Sequence, residues 1–259
     1  MLEGLYLGAA QDAQARLERT SMAQIEQAAL EQPKPVDAIS RFRALKNVGV
    51  IAEIKRASPS KGKLADIADA SALARTYEDA GAAAISVLTE ERKFLGSLAD
   101  LTEVSAAVEI PTLRKDFISL EQQILEAKAA GAAMVLLIIA GLEQARLASL
   151  HSFATELGLS VLVETHSAEE VLRANDIGAK LIGVNARDLQ TFETDRGLFD
   201  RLRALIANDA LAVAESAVRN LADVVSYAQS RADLVLVGET LVTGDAEALL
   251  AKFSNVARV

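Results

Sequence analysis

The chain has 259 residues, of which 51% are hydrophobic and 24% are charged, a composition that is typical of a folded globular protein and excludes a disordered one. Its formal net charge is −9, so the surface as a whole would repel nucleic acid and anionic lipid, and any bound phosphate needs a local basic pocket. There is no cysteine and there are two histidines, which excludes disulfides and zinc–thiolate centres and argues against a histidine metal cage. We therefore expect chemistry without a metal or another cofactor, and no nucleic-acid partner.

Neither a membrane span nor a secretion signal is predicted. The longest uncharged stretch, Ala129–Leu142, is shorter than the roughly 20 residues that a membrane helix needs, and it is interpreted as a buried strand with its flanks. Glu3, Asp12 and Arg16 interrupt the N-terminus and leave no room for the apolar core of a signal peptide. We expect a cytoplasmic protein with no membrane partner.

From residue 47 onward, short apolar runs alternate with Ala/Leu-rich segments of helical period, a pattern typical of repeated βα units. The apolar runs are Gly49–Ile54, Ala83–Leu88, Ile110–Leu113, Ala133–Ile139, Leu159–Val163, Lys180–Val184, Leu211–Ala214 and Leu234–Val237. Such a series predicts the α/β class and a closed parallel (β/α)8 barrel, a TIM barrel. A doubly wound open sheet is the alternative. No G-x-G-x-x-G motif follows the first run, which argues against the dinucleotide-binding version of that sheet.

Residues 1–46 do not follow the repeat and are predicted to form an extra N-terminal helical segment. A capping-box pattern begins at Ser21, and helical spacing resumes over Val36–Leu45 after two prolines. Such a segment could cover the bottom of the barrel or overhang its top. No Gly/Ser-rich, Pro-rich or low-complexity linker follows it, so we expect one domain over residues 1–259 that includes this extension.

Polar side chains follow the apolar runs where the strands are predicted to end, which is where barrels of this kind build their active sites. Because side chains alternate along a strand, residues two apart share a face, as Glu53 and Lys55 do. The same reasoning brings the following residues to the barrel mouth: Glu53, Lys55, Lys115, Glu164, Asn185, Arg187 and Glu215. Acids and bases in equal number can coexist there because opposite charges pair, and they supply both proton donors and acceptors. Any single one of them could instead be a solvated loop residue.

Lys115 has two other interpretations. With Arg114 and Asp116 beside it in the sequence, it could belong to a structural ion pair. A lysine in a barrel mouth can also form a Schiff base, as in aldolases, so this residue type alone does not fix the reaction. His166 follows Glu164 by two residues and would share its face, but we expect it to be a satisfied loop histidine.

Three loops have compositions that suit phosphate. Residues 58–63 follow the first strand with two hydroxyls, two lysines and a flexible glycine, although an ordinary mobile loop would look the same. Glu215-Ser216-Ala217 and Gly238-Glu239-Thr240 follow the seventh and eighth strands, where barrels commonly bind phosphate through backbone N–H groups and a short helix. Together the loops favour a phosphorylated substrate.

Whole motifs stand in a fixed order along the chain, beginning with Val50–Gly62 on the first strand. The others are Ser86–Glu90, Phe94–Leu98, Leu113–Ile118, Leu162–Glu164, Ile182–Leu189, Ala214–Ser216 and Leu236–Glu239. In content and order they resemble the motifs of indole-3-glycerol phosphate synthases, enzymes of tryptophan biosynthesis. The resemblance spans about residues 36 to 252, and the N-terminal segment is similar to the extra helical region of that family.

The resemblance implies a carbon–carbon lyase that converts 1-(2-carboxyphenylamino)-1-deoxyribulose 5-phosphate into indole-3-glycerol phosphate, with loss of carbon dioxide and water. Ring closure needs an acid at the ketone oxygen, and dehydration needs an acid at the departing hydroxyl and a base for the lost proton. By resemblance, Lys115 is the general acid of the first step and Lys55 holds the substrate carboxylate. Glu164 acts in dehydration, and the division of labour there between Lys55 and Glu164 is left open.

The resemblance assigns supporting roles to the other residues. Glu53 and Asn185 position the catalytic groups, while Arg187 and Glu215 bind the substrate. The residues implied for the phosphate site are Ser58, Ser216, Ala217, Gly238 and Glu239, and those implied for the apolar pocket of the aromatic ring are Phe117 and Leu136.

One residue departs from the family pattern. The family usually has glycine after the Glu-Ser pair of the seventh strand, and this chain has Ala217, whose methyl group could crowd the phosphate where glycine allows a positive φ. The charged positions of the motifs are intact, so we expect activity. The alternatives are another phosphosugar barrel, such as phosphoribosylanthranilate isomerase or a Schiff-base aldolase, and a non-catalytic barrel that binds an aromatic phosphate. Nothing in the sequence indicates a protein partner.

Overall fold

A closed parallel barrel forms the centre of the molecule. The computed structural model describes residues 2–188, 191 and 193–259, and within these ranges eight strands pair in sequence order, the last with the first. The strands are β1 (Gly49–Ile54), β2 (Ala84–Leu88), β3 (Thr112–Lys115), β4 (Met134–Ile138), β5 (Ser160–Thr165), β6 (Leu181–Asn185), β7 (Leu211–Glu215) and β8 (Leu234–Val237). The predicted (β/α)8 barrel is confirmed, and the open-sheet alternative is wrong because β1 pairs with both β2 and β8.

Several strands extend further toward the mouth than the apolar runs predict. The run Ile110–Leu113 becomes β3, which begins after Pro111 and ends at Lys115, since proline has no N–H to donate to a neighbouring strand. β5 and β6 likewise extend to Thr165 and Asn185. Hydrophobicity ends before the strand does because the upper ends of the strands face a polar cavity. The polar residues at these ends therefore belong to strands and not to solvated loops.

The N-terminal extension reaches both ends of the barrel, so the two predicted positions are both occupied. It comprises α1 (Leu2–Arg16), α2 (Met22–Glu31) and α3 (Ala38–Arg43). Helix α1 lies over the top, where the Tyr6 hydroxyl donates to the carbonyl of Ile138 at the end of β4 (3.0 Å). At the other end of the barrel, the side chains of Leu45 and Leu234 lie against Gly49, the first residue of β1.

Helices cover the outside of the barrel between successive strands. They are α4 (Ala70–Asp79), α5 (Leu98–Ala107), α6 (Glu121–Ala129), α7 (Gln144–Glu156), α8 (Ala168–Asp176), α9 (Leu198–Arg203), α10 (Leu221–Gln229), α11 (Glu239–Thr243) and α12 (Ala246–Phe253). As predicted, glycine follows several of them at positive φ, from 71° at Gly178 to 98° at Gly81. After α10, Arg231 adopts the same conformation with φ 62°. No helix in the described ranges is both long enough and apolar enough to cross a membrane.

Helix α2 is fixed to the outside of the barrel. The Ser21 side chain accepts a hydrogen bond from the Gln24 N–H, and the Gln24 side chain accepts one from the Ser21 N–H, so the predicted capping box is confirmed. Ile25 and Ala29 then pack against Leu125 of α6. This contact joins the extension to helix α6.

The loop after β1 contains a small antiparallel hairpin that the sequence did not predict. Ala57–Ser58 pairs with Gly62–Lys63, and Gly62, the first residue after the turn, has φ 68°. The Arg56 guanidinium at its base lies 2.7 Å from the Asp100 carboxylate of α5. The segment predicted either to bind phosphate or to be an ordinary loop is therefore hydrogen-bonded and anchored at the rim.

Candidate active site

The strands end at a cavity of about 420 Å³ in the mouth of the barrel, a size that suits a small organic ligand. Of the residues predicted for the site, all except Leu136 line it. Those that line it are Glu53, Lys55, Ser58, Lys115, Phe117, Glu164, Asn185, Arg187, Glu215, Ser216, Ala217, Gly238 and Glu239. Leu189, which ends one of the sequence motifs, lies outside the described residues.

The floor of the cavity carries a network of paired charges. Lys55 Nζ lies 2.6 Å from Glu53 Oε1, and Lys115 Nζ donates to Glu164 Oε2 across 3.4 Å. The other oxygen of Glu164 accepts a hydrogen bond from Asn185 Nδ2 (3.0 Å). Glu164 is 1% exposed, so its charge is retained only because cations and donors surround it. The alternation of side chains along the strands brings these groups together.

Two glycines make room for this network. A Cβ at Gly183 on β6 would overlap the carboxylate of Glu215. A Cβ at Gly238 would overlap the carboxylate of Glu53 and lie 3.1 Å from Lys55 Nζ. Both glycines therefore belong to the site although neither carries a functional group. Gly183 was not among the predicted site residues, but its position two residues before Asn185, on the same face, was an available signal.

Burial and pairing hold Lys115 and Glu164 in opposite charged forms. Burial alone lowers the pKa of Lys115, but the charge of Glu164 and of two further carboxylates raises it, and the resulting pKa lies above the usual value for lysine. Burial alone raises the pKa of Glu164, but Lys115 and His166 lower it, and the resulting pKa lies well below the usual range. At neutral pH the cavity therefore presents a protonated amine that can donate and a carboxylate that can accept.

Glu215 differs from Glu164 because its pKa is raised instead of lowered. Burial has the largest effect on the pKa of Glu215 and raises it well above its usual range. The charge of Glu164 raises it further, and Lys115 lowers it by less. Glu215 Oε1 has no hydrogen-bond partner in the part of the chain that the structure describes. A protonated carboxyl both donates and accepts hydrogen bonds, so Glu215 can bind a substrate hydroxyl without adding a charge.

The predicted phosphate loops meet at the rim of the cavity. Ser216 and Ala217 have φ values of 65° and 62°, in the left-handed region that non-glycine residues rarely occupy. The Ser216 hydroxyl donates to Asn185 Oδ1 (2.7 Å), which fixes this turn to β6. Lys61 of the hairpin pairs with Glu239 of α11, so the first and last loops are joined. Backbone groups, hydroxyls and a lysine thus surround this part of the cavity.

An apolar wall closes another side of the cavity. Phe117 packs edge-on against Tyr6 of α1, with ring centroids 5.7 Å apart, and lies 6.0 Å from the ring of Phe94. The prediction that Leu136 lines this wall is corrected: Leu136 is 1% exposed and lies deeper in the barrel interior. Ile138, two residues further along β4 and on the same face, lines the cavity instead.

Sequence reasoning missed residues that reach the cavity from the extension and from the loops after β6 and β7. Leu2 and Leu5 come from α1, and Thr194, Arg196 and Arg219 come from the two loops. The spacing of Leu2 and Leu5 indicates a helix face, but it does not say which end of the barrel that face covers. The two arginines add positive charge at the rim, which their sequence context alone did not indicate.

The structural ion pair considered for Lys115 belongs to Arg114. The buried guanidinium of Arg114 lies 2.9 Å from the Asp116 carboxylate and 3.1 Å from Glu126 of α6. Glu126 pairs in turn with Arg16 at the end of α1 (2.8 Å). Neighbouring residues of a strand point to opposite faces, so this network lies between the barrel and α6 while Lys115 faces the cavity.

His166 lies close to two carboxylates, and one of them belongs to a residue of the site. Its Nε2 lies 3.4 Å from Glu164 Oε1, and its Nδ1 lies 3.3 Å from Glu170 Oε2. Within the described ranges, no group of three or more His, Cys, Asp or Glu side chains is arranged to hold a metal ion.

Comparisons with known proteins point to one family. The family model described as Indole-3-glycerol phosphate synthase matches residues 2–253. A protein with that name from Leifsonia xyli subsp. xyli is 54% identical over 256 residues, which are 99% of this chain and 98% of the relative. Another from Parafrankia sp. is 54% identical and covers 94% of this chain and 90% of the relative.

Solved structures resemble the chain at much lower identity. A lactate oxidase from Pediococcus acidilactici has a TM-score of 0.59 at 15% identity, covering 95% of this chain and 86% of that chain. Thiamine phosphate pyrophosphorylase from Pyrococcus furiosus also has a TM-score of 0.59, at 14% identity, covering 80% and 94%. At these identities the likeness concerns the fold alone.

Proposed function

The chain belongs to the indole-3-glycerol phosphate synthase family and is a lyase of that activity, and we propose that the cavity in the barrel mouth carries out the reaction with the residue roles that follow. The observation that carries this proposal is the contact on the cavity floor between Lys115 Nζ and Glu164 Oε2, 3.4 Å apart. The raised pKa of Lys115 and the lowered pKa of Glu164 favour a protonated amine and an ionised carboxylate there. The substrate is a phosphorylated aromatic compound, which we take to be 1-(2-carboxyphenylamino)-1-deoxyribulose 5-phosphate.

Ring closure begins when the ring carbon that bears the carboxylate attacks the ketone carbon of the sugar chain. The ketone oxygen gains negative charge, and Lys115 donates a proton to it. Lys55, which Glu53 holds at 2.6 Å, pairs with the substrate carboxylate and orients it. When that carboxylate leaves as carbon dioxide, its bonding electrons return to the ring and restore its aromaticity.

Dehydration completes the indole. The hydroxyl formed from the ketone departs with a proton, and the adjacent carbon of the new ring loses a proton to a base. Glu164 is ionised, so we assign it the role of base, which leaves proton donation to Lys55. Asn185 holds Glu164 Oε1 at 3.0 Å, and this bond keeps the accepting carboxylate oriented toward the cavity.

The rest of the cavity binds the two ends of the substrate. The aromatic ring fits the apolar wall of Phe117 and Ile138. The phosphate fits the rim, where the hydroxyls of Ser58 and Ser216 and the backbone after β7 and β8 are available. Arg187 and the neutral carboxyl of Glu215 can bind the polar groups between these ends.

The charge state of Lys115 argues against a Schiff-base aldolase. A lysine that forms an imine must first lose its proton, and such lysines have a lowered pKa. The pKa of Lys115 is raised, which suits a proton donor and opposes a nucleophile.

We also propose that the protein acts in the cytoplasm, on the basis of its phosphorylated substrate. A hydrophobic cluster that includes residues of α1, the barrel strands and α12 supports the proposal of one domain over residues 1–259.

Indole fluorescence tests the proposed reaction. Protein treated with a chelator and mixed with the substrate should give a signal that rises and saturates with substrate concentration. Lys115→Ala and Glu164→Gln should each lower kcat by at least ~10²-fold, the loss expected when a general acid or base is removed. Lys93→Ala and Glu169→Gln change exposed residues of the same types and should leave kcat unchanged.

Other outcomes identify the alternatives. Substrate binding in calorimetry without product would support a non-catalytic barrel. Borohydride trapping of an imine on Lys115 would support an aldolase. Near-normal turnover by either site variant would show that the catalytic roles are misassigned.

A further inference from the structure

His166 lies against the carboxylate to which the proposed function gives the role of base. It follows Glu164 by two residues and lies just beyond the end of β5 at Thr165. Its Nε2 lies 3.4 Å from Glu164 Oε1. The Glu164 carboxylate is thus contacted at one oxygen by Lys115 and at the other by both Asn185 and His166.

A second carboxylate fixes the histidine from the other side. Glu170, in the first turn of α8, accepts a hydrogen bond from the His166 main-chain N–H (2.7 Å) and lies 3.3 Å from Nδ1 of the ring. Glu170 is itself placed by the helix cap, since its N–H donates to the Ser167 hydroxyl (3.2 Å). The imidazole therefore lies between Glu164 and Glu170: Nδ1 is within hydrogen-bond distance of Glu170, and Nε2 makes an ionic contact with Glu164 without hydrogen-bond geometry.

The imidazole does not reach the space that a substrate would occupy. The His166 side chain is 13% exposed, and within the described residues it is not one of those that line the cavity. Any effect on the reaction must therefore pass through Glu164.

We propose that His166 is a positioning residue that fixes the orientation and the negative charge of Glu164 from behind the cavity wall, with Glu170 fixing His166 in turn. This inference rests on the proposed function, in which Glu164 accepts a proton. Glu164 accepts hydrogen bonds from Lys115 and Asn185 and has the His166 ring 3.4 Å away; these contacts favour one orientation toward the substrate, and a small displacement of such a group is costly to the rate.

The charges around His166 support the proposal. Burial alone lowers the pKa of His166, but Glu164 and Glu170 raise it to about 10, so the ring is cationic at neutral pH. The charged groups near Glu164 on the cavity side are Lys115 and Glu215. Without His166, Lys115 would be the one remaining cation of these two beside Glu164, with the Asn185 hydrogen bond as further support, and the pKa of Glu164 would rise.

Activity profiles against pH test the proposal. In His166→Asn, kcat should fall by about tenfold or more, and the acidic limb of the kcat profile should move to higher pH. KM should change little, because the cavity wall is intact. Glu170→Gln should move the same limb in the same direction by less, and Glu169→Gln, at the neighbouring exposed position, should not move it.

Imidazole NMR gives a readout that does not need turnover. The chain has two histidines, so the His166 signal is assigned by its loss in His166→Asn. It should titrate near pH 10 in the wild type and at lower pH in Glu164→Gln. The proposal is overturned if His166→Asn and Glu170→Gln both fold and neither moves the acidic limb. It is also overturned if the titration of His166 is the same in Glu164→Gln as in the wild type. A wild type without turnover overturns the proposed function instead, and the NMR titration still decides whether His166 and Glu164 are coupled.

Discussion

Replacing Ala217 by glycine tests two effects of this residue in the turn after β7. One is the effect of its backbone strain on stability, and the other is the effect of its methyl group on substrate binding. Ala217 has φ 62°, a conformation that costs an L-residue about 1–2 kcal/mol. Glycine removes that strain, but it adds freedom to the unfolded chain that offsets about 0.4–1 kcal/mol. We expect Ala217→Gly to stabilise the fold by about 0.5–1 kcal/mol, which raises Tm by about 1–4 °C in a chain of this length.

The same change should strengthen substrate binding. Ala217 lines the cavity beside Ser216, so its methyl group stands at the proposed phosphate site. Without the methyl group, phosphate oxygens can approach the backbone more closely. A gain of about 1 kcal/mol corresponds to a KM that is lower by about fivefold. The kcat should stay the same because the groups on the cavity floor are untouched.

Arg231→Gly is the matched control. Arg231 has the same φ, 62°, but it follows α10 at a helix end, away from the residues that line the cavity. It should raise Tm by a similar amount or more, because the substitution also removes a positive charge near Arg203. Its KM should equal that of the wild type. Thermal unfolding and steady-state fluorescence measure both quantities. A lower Tm in Ala217→Gly would contradict the predicted strain at Ala217, and equal changes of KM in the two variants would contradict the proposed effect of its methyl group on phosphate binding.

Three other substitutions have defined outcomes. Arg114→Met leaves Asp116 buried without its cation, so we expect a loss of about 3–5 kcal/mol and a Tm about 10 °C lower in thermal unfolding. Gly183→Ala should push the Glu215 carboxylate aside and lower kcat/KM by about tenfold or more, with a stability loss of about 1–3 kcal/mol from overpacking. Folding raises the pKa of His166 to about 10, so the stabilisation by this group is complete below about pH 6.5 and is lost as the pH rises toward 10. In urea titrations, the free energy of unfolding should fall less over that pH range in His166→Asn than in the wild type.

The barrel could be predicted from the sequence because its strands are buried on both faces. Strands such as β4 and β8 are apolar throughout, so a continuous run identifies them without alternation. The bounds differed at the mouth, where Lys115, Thr165 and Asn185 continue their strands with polar side chains. Hydrophobicity shows where a segment is surrounded by apolar groups, and it does not show where the backbone hydrogen bonds of a strand end.

The floor of the site could also be predicted, because the two-residue period of a strand decides which polar side chains share a face. The walls could not be predicted, because they depend on tertiary geometry. Leu136 and Ile138 share a face of β4, and the tilt and stagger of the barrel decide which of them reaches the cavity. The position of Leu2 over the mouth depends on the packing of α1, which the Tyr6 hydrogen bond to β4 fixes.

β3 shows how one strand supports both the stability and the chemistry of the protein. Its consecutive residues Arg114 and Lys115 carry like charges, but the alternation of side chains sends them into separate networks. The outward Arg114 donates to the main chain of α6 (2.6 Å) and pairs with Glu126, and Glu126 also holds Arg16 of α1. The network behind Lys115 therefore also anchors the helix that supplies Leu2 to the cavity. Loss of Arg114 should therefore displace both Lys115, the general acid, and helix α1 above the cavity. Loss of Lys115 should remove the general acid alone.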